Sequence, residues 1–275
     1  AAATHINADW WSNFSSSELN ALESQALAGN TDLAASLARI DQARASLKIA
    51  QGGLLPSVSG DVSLGKNVVS NGSDGADWRG GFNVSYETDL FGAVRAKVAS
   101  AGAGLQASEF DKAALALVVT GDVARGYFTL VNLRERLAVA DQNIANASEV
   151  LRIIQVRLSA GAVSPLEVAQ QQSALSSAQA SRTALAQQEN AAANALSVLL
   201  GKPPQSQTFK TSLGTINIPA IAAGVPSDVL QQRPDIRRSE AQLVAANANI
   251  GAARAALYPS LSLSAGGSHG ASFGD

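Results

Sequence analysis

The sequence predicts a mainly α-helical fold, interrupted by a β-hairpin and built on an internal repeat. Three observations carry that reading. Proline is absent between Pro56 and Pro165 and again between Pro165 and Pro203, leaving two long intervals without the residue that breaks helix interiors. After Pro56 the hydrophobic pattern switches to period 2, the period of a strand. Finally, Asp32-Leu33 recurs as Asp235-Ile236, and Leu54-Leu55-Pro56-Ser57 as Leu257-Tyr258-Pro259-Ser260, at one offset of 203 (235 against 32, 259 against 56).

The first repeat is expected over residues 1–201. Within it, 15–54 reads as two helices. Ser15 with Glu18 has a capping-box pattern ahead of Leu19, Leu22 and Leu27, and Gly29-Asn30 reads as a stop and restart before Leu33, Leu37, Ile40, Leu47 and Leu54. Strands follow over 55–65 and 78–88, joined by a polar, glycine-rich loop from Lys66 to Asp77. Val58, Val62, Leu64, Trp78, Phe82, Val84 and Tyr86 share one face of this hairpin, and Ser57, Ser59, Asp61, Arg79, Asn83, Ser85 and Glu87 the other. Alternation alone fits a half-buried hairpin of a soluble domain as well as a pair of membrane-barrel strands.

A long helical hairpin is expected over 90–201 with its tip near Gly161. Its first arm runs roughly 70 residues, about 100 Å at 1.5 Å per residue, although glycines lie inside it. Ser164-Pro165-Leu166-Glu167 restarts the helix, with Ser164 fitting N-cap, Pro165 N1 and Glu167 N3 of a capping box. Residues 202–232 read as a connector with a short strand at Thr215–Ile218. The second repeat starts at 233, with a helix over 234–257 and a strand over 259–267 in which Leu261 and Leu263 face one way and Ser262 the other. It breaks off one strand in. The expectation is therefore a longer native protein that supplies a fourth strand and a second long helical hairpin.

Composition narrows the function. Of 275 residues 15% are charged and the formal net charge is −2, with basic residues scattered and no clustered stripe, so nothing draws nucleic acid. The chain has no cysteine, which removes thiolate metal sites and cysteine nucleophiles. His5 and His269, isolated in loop or edge regions, make a poor metal site. Asp89 and Glu87 fit a strand-to-helix junction, where a helix N-terminus favours negative charge, better than a catalytic carboxylate pair. No Gly-x-Ser-x-Gly elbow appears with a plausible base, and Gly102-Ala103-Gly104 lacks a phosphate-loop context. No enzyme, cofactor or metal is expected. No run reaches the ~18 consecutive apolar residues of a spanning helix, so a membrane crossing would have to use strands in a closed barrel.

Several stretches resemble the outer membrane factor family, the TolC-like channels, and within it the NodT-type lipoproteins of multidrug and metal efflux. They are Asp9-Trp10-Trp11 with Phe14; Tyr86-Glu87-Thr88-Asp89-Leu90-Phe91-Gly92; Arg157 to Ser164; Leu199-Leu200-Gly201; and Pro226 to Leu230, Arg233 to Arg237, Ala245 to Ala248 and Ile250-Gly251. The resemblance implies an outer-membrane homotrimer in the full-length protein, mostly periplasmic, in which each subunit gives four strands to a shared barrel. Val58, Val62, Leu64, Trp78, Phe82, Val84, Tyr86, Leu261 and Leu263 would face lipid. Ser59, Asp61, Arg79, Asn83, Ser85, Glu87 and Ser262 would face the lumen. The helical tip, with Leu158, Gly161, Val163, Ser164 and Leu166, would meet a periplasmic adaptor serving an inner-membrane pump. The implied function is a passive exit duct for drugs or other small toxic solutes. A type I protein secretion channel and, more distantly, a periplasmic adaptor are the alternatives. NodT-type members usually carry a lipidated N-terminal cysteine, and this chain starts at Ala1 without one.

Overall fold

The computed structural model describes residues 9–68, 74–205, 208–209, 216–219 and 232–273. They form two compact units, one of the described residues within 1–35 and 114–227 and one of those within 36–113 and 228–275.

In the first unit a 3-10 helix, Trp10–Phe14, precedes α1, Ser17–Gly29. The cap of α1 is Ser16 rather than Ser15: the Leu19 amide donates to Ser16 Oγ, while Ser15 takes a left-handed φ of 56° that ends the 3-10 turn. Asn30 separates α1 from α2, Thr31–Gly52, as the stop-and-restart pattern implies; its Oδ1 accepts from the amides of Asp32 and Leu33. The long helix α3, Ala93–Ser159, contributes its C-terminal part here, and α4, Pro165–Leu199, returns beside it. Asp141 pairs with Arg182 and Glu189 with Arg134, which fixes the two arms as antiparallel.

The core of this unit gathers Leu19, Leu22 and Ala26 of α1, Leu33 of α2, Val119, Val123, Tyr127, Leu130 and Val131 of α3, and Leu196 and Leu200. Tyr127 is fully buried, and its hydroxyl is satisfied by Ser16 Oγ at 3.1 Å. Gly201, at φ +69°, lies so close to the Gly29 carbonyl that a Cβ has no room, so α4 can turn here only at a glycine. Gly126 of α3 faces Leu196, and α3 continues unbroken through its glycines. One window of α3 is long and apolar enough to cross a membrane by length and composition. Ile216–Ile218 form no strand, so the expected strand at Thr215–Ile218 does not exist over its described residues; instead the Asn217 amide donates to the Phe14 carbonyl. The remaining connector motifs, with Pro226 to Leu230, lie outside the described residues.

The second unit holds β1, Ser57–Val68, β2, Asp74–Thr88, α5, Pro234–Ala255, and β3, Leu261–Phe273, with most of α2 and the start of α3. The strands make one antiparallel sheet in the order β1-β2-β3. The first two are longer at the hairpin end than the sequence predicts, because the ladder continues to Val68↔Asp74 through what reads as loop. The third continues past 267 to Phe273, since β2 supplies it with partners. Leu47 lies against Gly102 on α3, and the Arg237 guanidinium sits 4.9 Å over the Phe110 ring.

Candidate functional site

The sheet has two chemically distinct faces. Because register pairs share a face, the ladder builds rows across it. On the apolar face the rows are Val58–Val84–Ala265, Gly60–Phe82–Gly267, Val62–Gly80–His269 and Leu64–Trp78–Ala271, with Tyr86–Leu263 below them. On the polar face they are Ser57–Ser85–Ser264, Ser59–Asn83–Gly266, Asp61–Gly81–Ser268 and Ser63–Arg79–Gly270, with Glu87–Ser262 below. Ser57 and Ser85 join across the strands at 2.7 Å. Every residue assigned to a face from the sequence falls on that face. His5 lies outside the described residues. His269 stands on the apolar face of the edge strand, 5.8 Å from the Trp78 ring, a placement that becomes legible only once β3 is known to extend past 267.

The apolar face lacks cover. Val62 is 79% exposed, Leu64 84% and Phe82 60%. Among the described residues the outer edges of β1 and β3 have no ladder partner. Where strand meets helix, Phe91 stacks on Tyr258 at 4.6 Å, and Leu55, Leu90 and Leu257 are exposed beside them.

Asp89 shapes that junction. It accepts from the Val94 and Arg95 amides at 2.9 and 3.0 Å and from Arg95 Nε at 3.0 Å, closing the N-terminus of α3. Desolvation works to raise its carboxyl, but the backbone amides of Arg95 and Val94 and the Arg95 guanidinium outweigh it and hold the group below the usual aspartate range. Glu87 is separated from it in role, standing on the polar face of β2.

At the other candidate site the chain turns at Gly161, φ +72°, with the Ala162 amide donating to the Arg157 carbonyl and the Gly161 amide to the Leu158 carbonyl. Ser164 then starts α4 with both halves of the capping box present, as its pattern predicts. Gly161, Ser164 and Leu166 are exposed, and Leu158 and Val163 are half-buried. The tip therefore presents apolar groups and a fixed turn without a charged cluster.

One group escaped sequence reasoning. Glu23 on α1 is fully buried and neither carboxylate oxygen has a hydrogen-bond partner. Burial pushes its carboxyl up to about 8, so it is protonated at neutral pH. Among the described residues no cluster of His, Asp and Glu could hold a metal.

A family profile described as "Outer membrane efflux protein" matches residues 22–202 and 225–274. The pyoverdine export outer membrane protein OpmQ of Pseudomonas aeruginosa is 38% identical, over 95% of this chain and 58% of OpmQ. Nodulation protein T of Rhizobium leguminosarum bv. trifolii is 30% identical, over 93% of this chain and 56% of that protein. The crystal structure of the Campylobacter jejuni CmeC outer membrane channel superposes with a TM-score of 0.82 at 28% identity, covering 98% of this chain and 63% of CmeC. The chain thus spans somewhat over half the length of the relatives it matches.

Proposed function

Because the chain belongs to the outer membrane efflux protein family, we propose that the full-length protein is an outer-membrane channel subunit and serves as the passive exit duct of a tripartite efflux system for small solutes. The observation that carries this reading is the two-faced sheet. An apolar surface with exposed Val62, Leu64 and Phe82 needs a covering solvent, and the polar rows behind it need water. A barrel wall between lipid and lumen provides both. Trp78 stands at one end of the apolar face and Tyr86 at the other, with Phe91 and Tyr258 just beyond, in the manner of interfacial aromatic girdles. Eight residues separate Trp78 from Tyr86, ~27 Å along the strand and ~21 Å of height at ~40° tilt, against an apolar band ~25 Å tall.

In this mechanism the chain moves nothing by itself. Ser59, Asp61, Arg79, Asn83, Ser85, Glu87 and Ser262 line a water-filled path, while Val58, Val62, Leu64, Trp78, Phe82, Val84, Tyr86, Leu261 and Leu263 meet lipid. The free edges of β1 and β3 are closed by strands from the rest of the protein and from the other subunits of a homotrimer. The tip formed by Leu158, Gly161, Val163, Ser164 and Leu166 docks on a periplasmic adaptor that links the duct to an inner-membrane pump. The name of the relative OpmQ supports export of a small molecule rather than a polypeptide.

The test is planar-bilayer recording with the full-length protein. Discrete ionic conductance from a detergent-extracted trimer is expected. A protein that is monomeric and soluble without detergent contradicts the reading.

A further inference from the structure

The apolar face carries two basic residues at one end, and the internal repeat relates them. At the offset of 203 that aligns Pro56 with Pro259, Lys66 aligns with His269. Both belong to the apolar-face rows by register, although apart from Thr88 at the helix end the other residues in those rows up to that level are apolar or glycine: Lys66 pairs with Ala76 beside Phe273, and His269 pairs with Gly80 beside Val62. Lys66 thus stands level along the ladder with Phe273, four residues beyond His269. That stagger is of the kind by which tilted strands of a closed barrel bring equivalent positions of successive repeats to a common height.

The surface beside His269 is hollow. Gly60, Gly80 and Gly267 alternate with Val62, Phe82 and His269 in two rows, and these six, with Asp61, Gly81 and Ser268 of the intervening row, border a depression of about 520 Å³. The Phe82 ring leans over Gly267, 3.2 Å from where a Cβ would stand, and the Trp78 ring meets His269 edge-on with centroids 5.8 Å apart. An apolar trough with a nitrogen-bearing ring at its outer rim matches an acyl chain joined to an acidic headgroup. Imidazole donates an N–H whether neutral or charged, and an ammonium adds charge.

We propose, on the footing that this face meets lipid, that Lys66 and His269 are equivalent members of a basic ring near the hairpin end of the barrel. The ring binds the phosphate groups of outer-leaflet lipid, and one acyl chain lies in the glycine-floored trough. The strands leave the helices at Pro56, Thr88 and Pro259, so the hairpin end is the one away from the periplasmic helices.

The experiment uses the detergent-extracted full-length trimer and native mass spectrometry, titrating bisphosphorylated lipid A and its dephosphorylated form. The phosphorylated lipid should bind more tightly. Lys66→Ala and His269→Ala should each weaken it about fivefold, the effect of one basic group near an anionic lipid surface, and His269→Lys should preserve it. Gly60→Leu, whose Cβ has only the Gly81 carbonyl within contact at 3.7 Å, should fill the trough and reduce occupancy by both lipids. Equal binding of the two lipids, or unchanged binding in the double alanine variant, overturns the proposal. Bilayer conductance of the same preparations keeps the two ideas apart: a conducting channel without phosphate preference defeats the ring alone, whereas a wild-type protein with no conductance defeats the channel.

Discussion

The core around Tyr127 and the sheet around Phe82 are built from the same kinds of side chain and end in opposite environments. Val123, Tyr127 and Leu130 are fully buried, whereas Val62, Leu64 and Phe82 stand exposed on a regular antiparallel ladder. The contrast lies in what covers the side chains. The helical core covers itself with α1, α3 and α4. The sheet presents a continuous apolar surface larger than the scattered exposed residues of an ordinary soluble domain, the mark of a surface with an external partner.

The most severe way to break the comparison is to truncate one aromatic on each side. Tyr127→Ala removes a ring from a closed core and strands Ser16, and should destabilise the first unit by about 4 kcal/mol. Phe82→Ala should cost under about 1 kcal/mol for the full-length protein in detergent, because the residue is 60% exposed. Denaturant titration monitored by circular dichroism reads both, and equal losses would dissolve the distinction.

A charge scan sharpens the two faces of the sheet. Val62→Arg should cost about 3 kcal/mol of stability in lipid vesicles, the order measured for a charge on the lipid side of a barrel near mid-membrane. Ser63→Arg, one residue on and on the opposite face, should be tolerated and should instead change the ion selectivity of the conductance.

Glu23 gives a smaller effect with a characteristic pH dependence. Its carboxyl ionises at about 8 when folded, above the ordinary 4.5. The folded state therefore holds a proton that the unfolded state has released across that window. The group destabilises the fold progressively as pH rises from the unfolded value to about 8, and the penalty is constant above it. Glu23→Gln should raise stability by about 4 kcal/mol at pH 8 and leave it nearly unchanged at pH 4. A thermal-melting difference that is flat across this range would contradict the burial assigned to Glu23.

Much of this architecture was legible in the residues because local signals and tertiary structure agree. The proline-free interval and the Ser164–Glu167 box announced the helical hairpin, and both ends of the box are made. Period-2 alternation assigned the faces of the sheet correctly for the same reason: one shift of register would invert them all. What was hidden depended on distant partners. Lys66 to Val68 look like loop until β2 supplies a ladder, and the glycine-rich run after Ala265 looks like a strand end until β2 pairs it. Three consecutive serines, Ser15 to Ser17, offered no local reason to prefer Ser16 as cap; the Tyr127 hydroxyl from α3 accompanies that choice. Nothing around Glu23 in the sequence signals that its carboxyl is enclosed.

The central claim is that one face of the β1-β2-β3 sheet meets lipid and the other water. The 275 residues contain no cysteine, so single cysteines can be placed along them. In outer-membrane vesicles bearing the full-length protein, cysteines at Ser59, Asp61, Asn83 and Ser85 should react with a charged, membrane-impermeant thiol reagent. Those at Val58, Val62, Phe82 and Val84 should resist it and react with a lipid-soluble one. A strict two-residue alternation is the predicted result; equal reaction with the charged reagent at both sets would contradict the account.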